Sequence, residues 1–266
     1  KNDFSILINN KQINFDAVFI MLHGSPGEDG KLQAYFDLLD IPYTSCDALT
    51  SSLTMNKGYS KAIVNGIKDL YIARSIQLFE NSAHVNKDLL ANLTLPLFIK
   101  PNNGGSSIGM TKVKTALELP LALRKAFNED NQVLVEEFVH GREFSVGVYK
   151  NNKGIHVLPA TEVIPSNDFF DFEAKYTPGA TEEITPGRMT EAEKLRVERI
   201  VTDIYLKLNC KGMVRIDYFL QNQTSNFYFI EINTIPGQTA QSFIPQQVRA
   251  AGLNMDEFYG DLIEMA

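Results

Sequence analysis

Met213-Val214-Arg215-Ile216-Asp217-Tyr218-Phe219-Leu220 and Phe227-Tyr228-Phe229-Ile230-Glu231-Ile232-Asn233 read as two β-strands joined by the polar turn Gln221 to Asn226. Side chains alternate faces along a strand, so Val214, Ile216, Tyr218 and Leu220 are expected on one apolar face together with Tyr228, Ile230 and Ile232. Arg215 and Asp217 leave the other face of the first strand, Glu231 and Asn233 that of the second. Pairing gathers three oxygen donors and one guanidinium. Oxygen-only donors suit magnesium, which keeps several waters and takes one or two protein carboxylates beside substrate phosphates. The hairpin is a candidate metal-nucleotide platform. On these four residues alone, a solvated sheet face carrying a salt bridge stays open as the plainer alternative.

Around this hairpin lies a chain of 266 residues, 44% hydrophobic, long enough for about two domains with a proper core. Lys and Arg number 25 against 32 Asp and Glu, a net charge of -7 with no basic block, which argues against nucleic acid or an anionic membrane as partner. No apolar run reaches the length of a membrane span, and the first residues lack the pattern of a signal peptide, so the cytoplasm is the expected compartment. The two cysteines, Cys46 and Cys210, stand in unrelated sequence contexts without metal-ligand spacing and are expected to be reduced thiols.

Upstream, Asp16 to Leu22 is a continuous apolar run of the kind found in a strand covered on both faces. It empties into His23-Gly24-Ser25-Pro26-Gly27-Glu28-Asp29-Gly30, and a helix is expected over Lys31 to Leu39, the order in which doubly wound sheets place ligand loops. His23 at that mouth serves equally well as a partner for a loop carbonyl. Ile41 to Thr44 reads as a short strand, and Asp47 or Thr50 as a helix cap. From about Leu53 a second unit begins. Lys57 to Ile67 is helical, Leu70 to Phe79 β-rich, and Val85 to Asn92 helical again.

The strand Leu95 to Lys100 then delivers a lysine into Pro101-Asn102-Asn103-Gly104-Gly105-Ser106-Ser107-Ile108-Gly109. Such a loop can turn backbone N–H groups toward phosphate oxygens while the lysine supplies charge. It lacks the Gly-Lys-Ser/Thr ending of a Walker loop, and a plain turn is the alternative. After a helix over Thr115 to Phe127, the strand Gln132 to Glu137 meets a hinge, Phe138-Val139-His140-Gly141, whose free backbone groups can read an adenine edge. Ile155 to Val163 reads as a strand and Phe169 to Arg188 as a long loop, a length usual for functional lids. Thr190 and Glu193 have capping-box spacing ahead of a helix whose stripe is read as Leu195, Ile200, Ile204 and Leu208. Beyond the hairpin, Thr234 to Thr239 leads to Ser242 and a helix N-terminus suited to a carboxylate.

In order and spacing these blocks resemble a D-alanine:D-alanine ligase of the ATP-grasp superfamily. The resemblance runs over nearly the whole chain: His23-Gly24 to Asp29-Gly30, Ile41 to Thr44, Met55-Asn56-Lys57, Ile99-Lys100-Pro101 to Gly109, Val135-Glu136-Glu137 to Glu143, Glu173-Ala174-Lys175-Tyr176, Arg215-Ile216-Asp217, and Glu231-Ile232-Asn233 to Pro236-Gly237. It implies an α/β (α+β) ATP-grasp fold with a partial N-terminal α/β subdomain over 1–52. A central subdomain over 53–140 and a C-terminal one over 141–266, carrying lid and metal site, complete it.

The resemblance also implies roles. Lys57 and Lys100 match the lysines on ATP phosphates, Glu136 and the Val139 backbone the adenine contacts, Glu143 the ribose contact, and Phe138, Phe169, Phe219 and Ile230 the adenine slot. Asp217, Glu231 and Asn233 match the ligands of two magnesium ions, with manganese as a substitute. Ser106 and Tyr176 match the pair that pins the lid, Lys175 and Ser242 the groups on the second D-alanine's carboxylate, and Arg215 with the Gly237 N–H the oxyanion donors, with His23 among the catalytic residues. The block Glu173 to Tyr176 favours an amine nucleophile over D-lactate. The implied partners are ATP and D-alanine, the implied assembly a homodimer, and the implied process peptidoglycan synthesis.

Family members carry an initial strand and a glycine-rich segment, then a glutamate and serine that orient the first D-alanine. This sequence starts downstream of them, so the first-substrate site is expected to be incomplete in it. Another ATP-grasp carboxylate-amine ligase and a non-catalytic ATP-binding module are the two alternatives.

Overall fold

The computed structural model describes residues 3–80, 92–105, 108–165 and 181–266. Strands β1 (Ile6–Ile8) and β2 (Lys11–Ile13) make a small antiparallel hairpin. Helix α1 (Lys31–Leu39) follows the His23 to Gly30 loop, and α2 (Ala48–Met55) and α3 (Lys57–Val64) succeed one another with one residue between them. Asp47 caps α2 by accepting the Thr50 N–H at 2.8 Å, and Asn56 caps α3 by accepting the Tyr59 N–H at 3.0 Å.

The apolar run Asp16 to Leu22 does not form the expected strand, and neither does Ile41 to Thr44. A single parallel bridge joins Val18 to Tyr43, held by Val18 N–H to Pro42 O (2.8 Å) and Thr44 N–H to Val18 O (3.1 Å). At the next ladder position the Ile20 N–H donates to the Thr44 hydroxyl instead of a carbonyl, which ends the pairing. The run still packs, with Ile20 buried against Phe36 and Ile235.

Four strands form the smaller sheet: β4 (Ser75–Phe79), β5 (Leu97–Pro101), β6 (Thr111–Val113) and β7 (Gln132–Glu137), in the antiparallel order β4-β7-β5-β6. A short 3-10 turn, Ala116–Glu118, opens helix α4 (Leu119–Phe127), whose Leu119, Ala122, Leu123 and Ala126 cover Leu97, Ile99, Val113, Val133 and Val135. Each large side chain so buried stabilises the unit by roughly 1.5–3 kcal/mol. Period-2 alternation sends Lys100, Asn102, Gln132 and Glu136 to the opposite face, toward α3.

The larger sheet contains β8 (Gly141–Asn151), β9 (Gly154–Val157), β10 (Thr161–Pro165), β11 (Thr181–Ile184), β12 (Met213–Gln221) and β13 (Phe227–Asn233), with the short β3 (Leu70–Tyr71) parallel to β13. Its path is β11-β10-β8-β12-β13-β3, with β9 paired to the far end of β8. The expected strand Ile155 to Val163 is therefore two. Both halves pair with β8, and Pro159 between them has no N–H to give a ladder.

Helix α5 (Glu191–Lys207) starts with the expected capping box between Thr190 and Glu193. Its buried stripe is Val197, Ile200, Val201, Ile204 and Tyr205, continued by Leu208, whereas Leu195 is 67% exposed. Leu195 is five residues from Ile200, about 140° around the helix at 3.6 residues per turn, so it belongs to the solvent side. Helices α6 (Phe243–Ala250) and α7 (Met255–Glu264) pack Ile244, Val248, Phe258 and Leu262 on Tyr149 and Met213.

One parity expectation in the hairpin fails. The residues of β13 in the core are Phe227, Phe229 and Ile232, not Tyr228 and Ile230. A register shift explains it: Asp217 pairs with Glu231 but Tyr218 with Phe229, leaving Ile230 as a bulged residue that reverses the alternation. The two cysteines, far apart in sequence, are neighbours in the core. The Cys46 thiol beside it, together with burial, pushes the Cys210 thiol well above its ordinary range.

Candidate active site

Three cross-strand rows of side chains on β8, β12 and β13 form the floor of a cleft. Their registers are Gly147, Arg215, Asn233; Ser145, Asp217, Glu231; and Glu143, Phe219, Tyr228. Residues directly opposite in paired strands share a face, so the bulge leaves both carboxylates, the Asn233 amide and the Arg215 guanidinium together. Arg215 grips Asp217 with two bonds, Nε to Oδ1 at 2.9 Å and Nη2 to Oδ2 at 2.8 Å. The Ser145 hydroxyl donates to the same Oδ1 at 2.6 Å. Burial opposes the Arg215 charge, but Asp217, then Glu231 and Glu28, outweigh it and hold its pKa above the ordinary arginine value. Asn233 Oδ1 also accepts the Ile235 N–H at 2.9 Å.

Opposite this floor stand the lysines. Lys57, in the first turn of α3, donates to the Gly104 carbonyl at 2.5 Å and lies 3.4 Å from Glu231 Oε2. Lys100 Nζ donates to Glu136 Oε1 at 2.7 Å, and Lys61 pairs with the other oxygen of the same carboxylate. Burial, then the nearby Lys57 charge, lowers the Lys100 pKa to about 8. Glu136 thus faces the lysines of the cleft with both oxygens engaged by cations.

At the hinge, Phe138 packs on Phe98 and His140, with ring centroids 5.4 and 4.6 Å away, and the Lys112 ammonium lies 3.8 Å over its ring. Phe138, Val139 and His140 line a cavity of about 560 Å3 with Ile72, Arg74 and Tyr228. A second cavity, about 550 Å3 and lined by Phe4, Phe15, Phe19 and Tyr35, is apolar and contains none of the cleft carboxylates.

The His23 loop closes the end of the cleft near Arg215. His23 Nδ1 lies 2.7 Å from the Ile235 carbonyl, which can only accept, so the proton sits on Nδ1 and Nε2 is an acceptor. Gly24 and Glu28 bond reciprocally, Gly24 N–H to Glu28 Oε2 at 2.5 Å and Glu28 N–H to Gly24 O at 2.8 Å. Burial raises the Glu28 carboxyl pKa despite that bond. Gly27 packs so closely on the Leu22 carbonyl that a Cβ there would sit 1.8 Å from its oxygen. On the facing segment, Gly237 lies against Ser242, where a Cβ would come within 2.8 Å of Oγ. The Ser242 hydroxyl accepts the Thr239 N–H at 3.1 Å at the start of α6.

Ser106, Phe169, Lys175 and Tyr176 lie outside the described residues. Of the other residues singled out in the sequence, Arg215, Asp217, Glu231, Asn233, Glu143, Phe219, Lys57, Lys100 and Glu136 line the cleft. Lys61, Ser145 and Glu28 escape the sequence reading. Lys61 stands four residues after Lys57, hence on the same helix face, and Ser145 two after Glu143, hence on the same strand face. Those spacings are signals available in the sequence. Glu28 becomes informative only through the loop geometry.

A family model for the C-terminal part of D-ala D-ala ligase matches residues 67–264, and the model for the N-terminal part matches residues 2–46. The chain belongs to the D-alanine–D-alanine ligase family. The D-alanine–D-alanine ligase of Azobacteroides pseudotrichonymphae is 46% identical over 265 residues, covering 99% of this chain and 81% of the relative. Among solved structures, the VanG D-Ala:D-Ser ligase of Enterococcus faecalis superposes with a TM-score of 0.87 at 36% identity, over 96% of this chain and 74% of that one. The D-alanine-D-alanine ligase of Coxiella burnetii gives 0.83 at 29% identity, over 96% and 68%. Both are ligases of the ATP-grasp fold, and the mixed α/β architecture of this family member agrees with theirs. No helix among its described residues is long and apolar enough to cross a membrane.

Proposed function

We propose that this chain carries out the reaction of its family, joining two D-alanines at the expense of ATP to give D-alanyl-D-alanine, a building block of peptidoglycan. The observation that carries the reading is the pairing of Asp217 with Glu231 and of Arg215 with Asn233 in adjacent rows, with Lys57 and Lys100 facing them.

Asp217, Glu231 and Asn233 fit magnesium by chemistry, an all-oxygen set in which two members are carboxylates. Among the described residues no group of three or more His, Cys, Asp or Glu is placed to hold a metal ion. These residues would hold two such ions, or manganese in their place, whose charge would offset that on the phosphoryl oxygens. Lys57 and Lys100 bind the phosphates from the other wall. Val139 backbone, Glu136 and Glu143 take the adenine and ribose, with Phe138, Phe169, Phe219 and Ile230 around the base.

The carboxylate of the first D-alanine attacks the γ-phosphorus, giving an acyl phosphate and ADP. The amine of the second attacks the activated carbonyl, Arg215 with the Gly237 N–H stabilises the developing oxyanion, and the tetrahedral species collapses to the amide with loss of the amine proton and departure of inorganic phosphate. His23, through Nε2, takes part at that end of the cleft. Lys175 and Ser242 hold the second carboxylate, while Ser106 and Tyr176 pin a lid that keeps water from the acyl phosphate. A central unit over 53–140 and a C-terminal unit over 141–266, preceded by 1–52, belong to the same proposal, supported by the placing of β4 to β7 in the smaller sheet and β8 to β13 in the larger, with β3 of the central unit joining the larger sheet. So do a homodimeric state and a cytoplasmic setting.

The test is ADP release from magnesium-ATP with D-alanine, beside no amino acid, L-alanine, D-serine and D-lactate. Release dependent on D-alanine supports the proposal. Release with D-alanine only when D-serine is added would assign the chemistry of the VanG relative instead, and ATP binding without release would indicate a binding module.

A further inference from the structure

Lys61 is a buried lysine with no part in the proposed chemistry. It sits one turn after Lys57 on α3, is 3% exposed, and among the described residues its ammonium has only the Glu136 carboxylate as partner. Burying an ammonium costs several kcal/mol unless it is paired, and an apolar side chain of the same volume would avoid that cost. The charge therefore calls for a role.

The surroundings define one. The start of α3 is docked rigidly on the polar face of the smaller sheet. Gly58 N–H donates to Asn102 Oδ1 at 2.8 Å and Lys57 N–H to Asn102 O at 3.1 Å. One oxygen, Gln132 Oε1, accepts from Asn56, Gln77 and Asn102 at 3.2, 2.7 and 3.1 Å. With α3 fixed, Lys61 meets one oxygen of Glu136 while Lys100 binds the other at 2.7 Å. A carboxylate held from one side presents its second oxygen at a set place and angle.

We propose that Lys61 is a positioning residue of the nucleotide site: by anchoring Glu136 it sets where the Lys100 ammonium stands beside Lys57. This rests on the reading of Lys57 and Lys100 as phosphate-binding lysines. Lys57, Lys61 and Lys100 are gathered in this cluster around the carboxylates Glu136 and Glu231. Glu136 alone could hold Lys100 but would be free to rotate about its terminal torsion, which is broad and roughly two-fold.

The test compares Lys61→Met, Lys61→Arg, Lys100→Met and the double variant Lys61→Met/Lys100→Met in the full chain, with steady-state KM for ATP and for D-alanine, and with affinity for adenosine. The expected result for Lys61→Met is a KM for ATP raised about tenfold or more, equivalent to about 1.4 kcal/mol. Adenosine affinity falls as well, because Glu136 is also assigned to the adenine, whereas KM for D-alanine stays within twofold, and Lys61→Arg recovers part of the loss. In the double variant Lys61→Met adds little to Lys100→Met. If Lys61→Met lowers thermal stability but leaves the KM for ATP unchanged, the residue is structural and the proposal is overturned. Additive losses would make Lys61 a direct phosphate ligand and overturn it too. If Lys61→Met does not fold, Lys61→Gln takes its place, and a normal KM for ATP in that variant has the same consequence. Lys100→Met with an unchanged KM for ATP would overturn the underlying nucleotide reading instead.

Discussion

The Lys57 ammonium lies 3.4 Å from the Glu231 carboxylate and so joins the first turn of α3 to β13 across the cleft. The two groups come from separate sheets' surroundings, one expected on phosphate and one on metal, and their approach fixes the width of the space between. Glu231→Gln keeps the shape and removes the charge. Turnover is expected to fall on the order of 10²-fold or more, with a higher magnesium concentration at half activity, since even outer-shell partners of a metal matter 10–100-fold. An unchanged magnesium dependence would take Glu231 out of the metal site.

Ser145 offers a finer probe of the same floor. Its hydroxyl donates to Asp217 at 2.6 Å and orients that carboxylate from the β8 side. Ser145→Ala is expected to weaken apparent magnesium affinity about 10–100-fold while leaving the KM for D-alanine nearly constant. A magnesium titration of initial rates checks this.

Arg215 holds Asp217 with both its Nε and Nη2 groups, and its guanidinium carbon lies 5.7 Å from the centre of the Phe243 ring at the start of α6. Arg215→Ala is expected to lower kcat on the order of 10²-fold or more, as for the loss of an oxyanion donor. Thermal unfolding beside the kinetics separates this from collapse of the floor. Near-normal turnover would remove Arg215 from the role.

Lys100 gives a pH dependence with opposite signs for binding and folding. Burial, then Lys57, holds its pKa at about 8 in the folded protein, against about 10.4 in an unfolded chain. Between these values the unfolded chain binds more protons, so the Lys100 contribution raises stability as pH increases through that window. ATP capture needs the charged form, so kcat/KM for ATP is expected to fall above about pH 8. Lys100→Arg, charged throughout, should lack that limb if it binds ATP at all.

Much of the cleft is legible in the sequence because period-2 alternation is strict where strands are regular. Arg215 and Asp217 follow it, but their pairing with Asn233 and Glu231 comes from the bulge, because the register set at the turn, Leu220 with Phe227 and Tyr218 with Phe229, would place Ile230 opposite Asp217. Tyr228 and Ile230 do not follow it, because a one-residue bulge leaves no compositional mark. Residues 16–22 carry a strand's composition, yet a strand needs a ladder, and the Thr44 hydroxyl takes the place of the next carbonyl. The break at Pro159 shows in the separate pairing of β9 and β10 with β8. The neighbouring of Cys46 and Cys210 is a tertiary fact, set by the packing of the segment before α2 on the turn after α5.

The most direct measurement uses D-alanine carrying oxygen-18 in its carboxylate, with magnesium-ATP, and reads the label in the inorganic phosphate by mass spectrometry. Transfer of one labelled oxygen to phosphate, matched by D-alanyl-D-alanine, is the expected result. It requires that the carboxylate attack the γ-phosphorus before the amide forms. Dipeptide formed with unlabelled phosphate, or ADP released without dipeptide, would contradict the mechanism assigned to the Lys57, Lys100, Arg215 and Glu231 cleft.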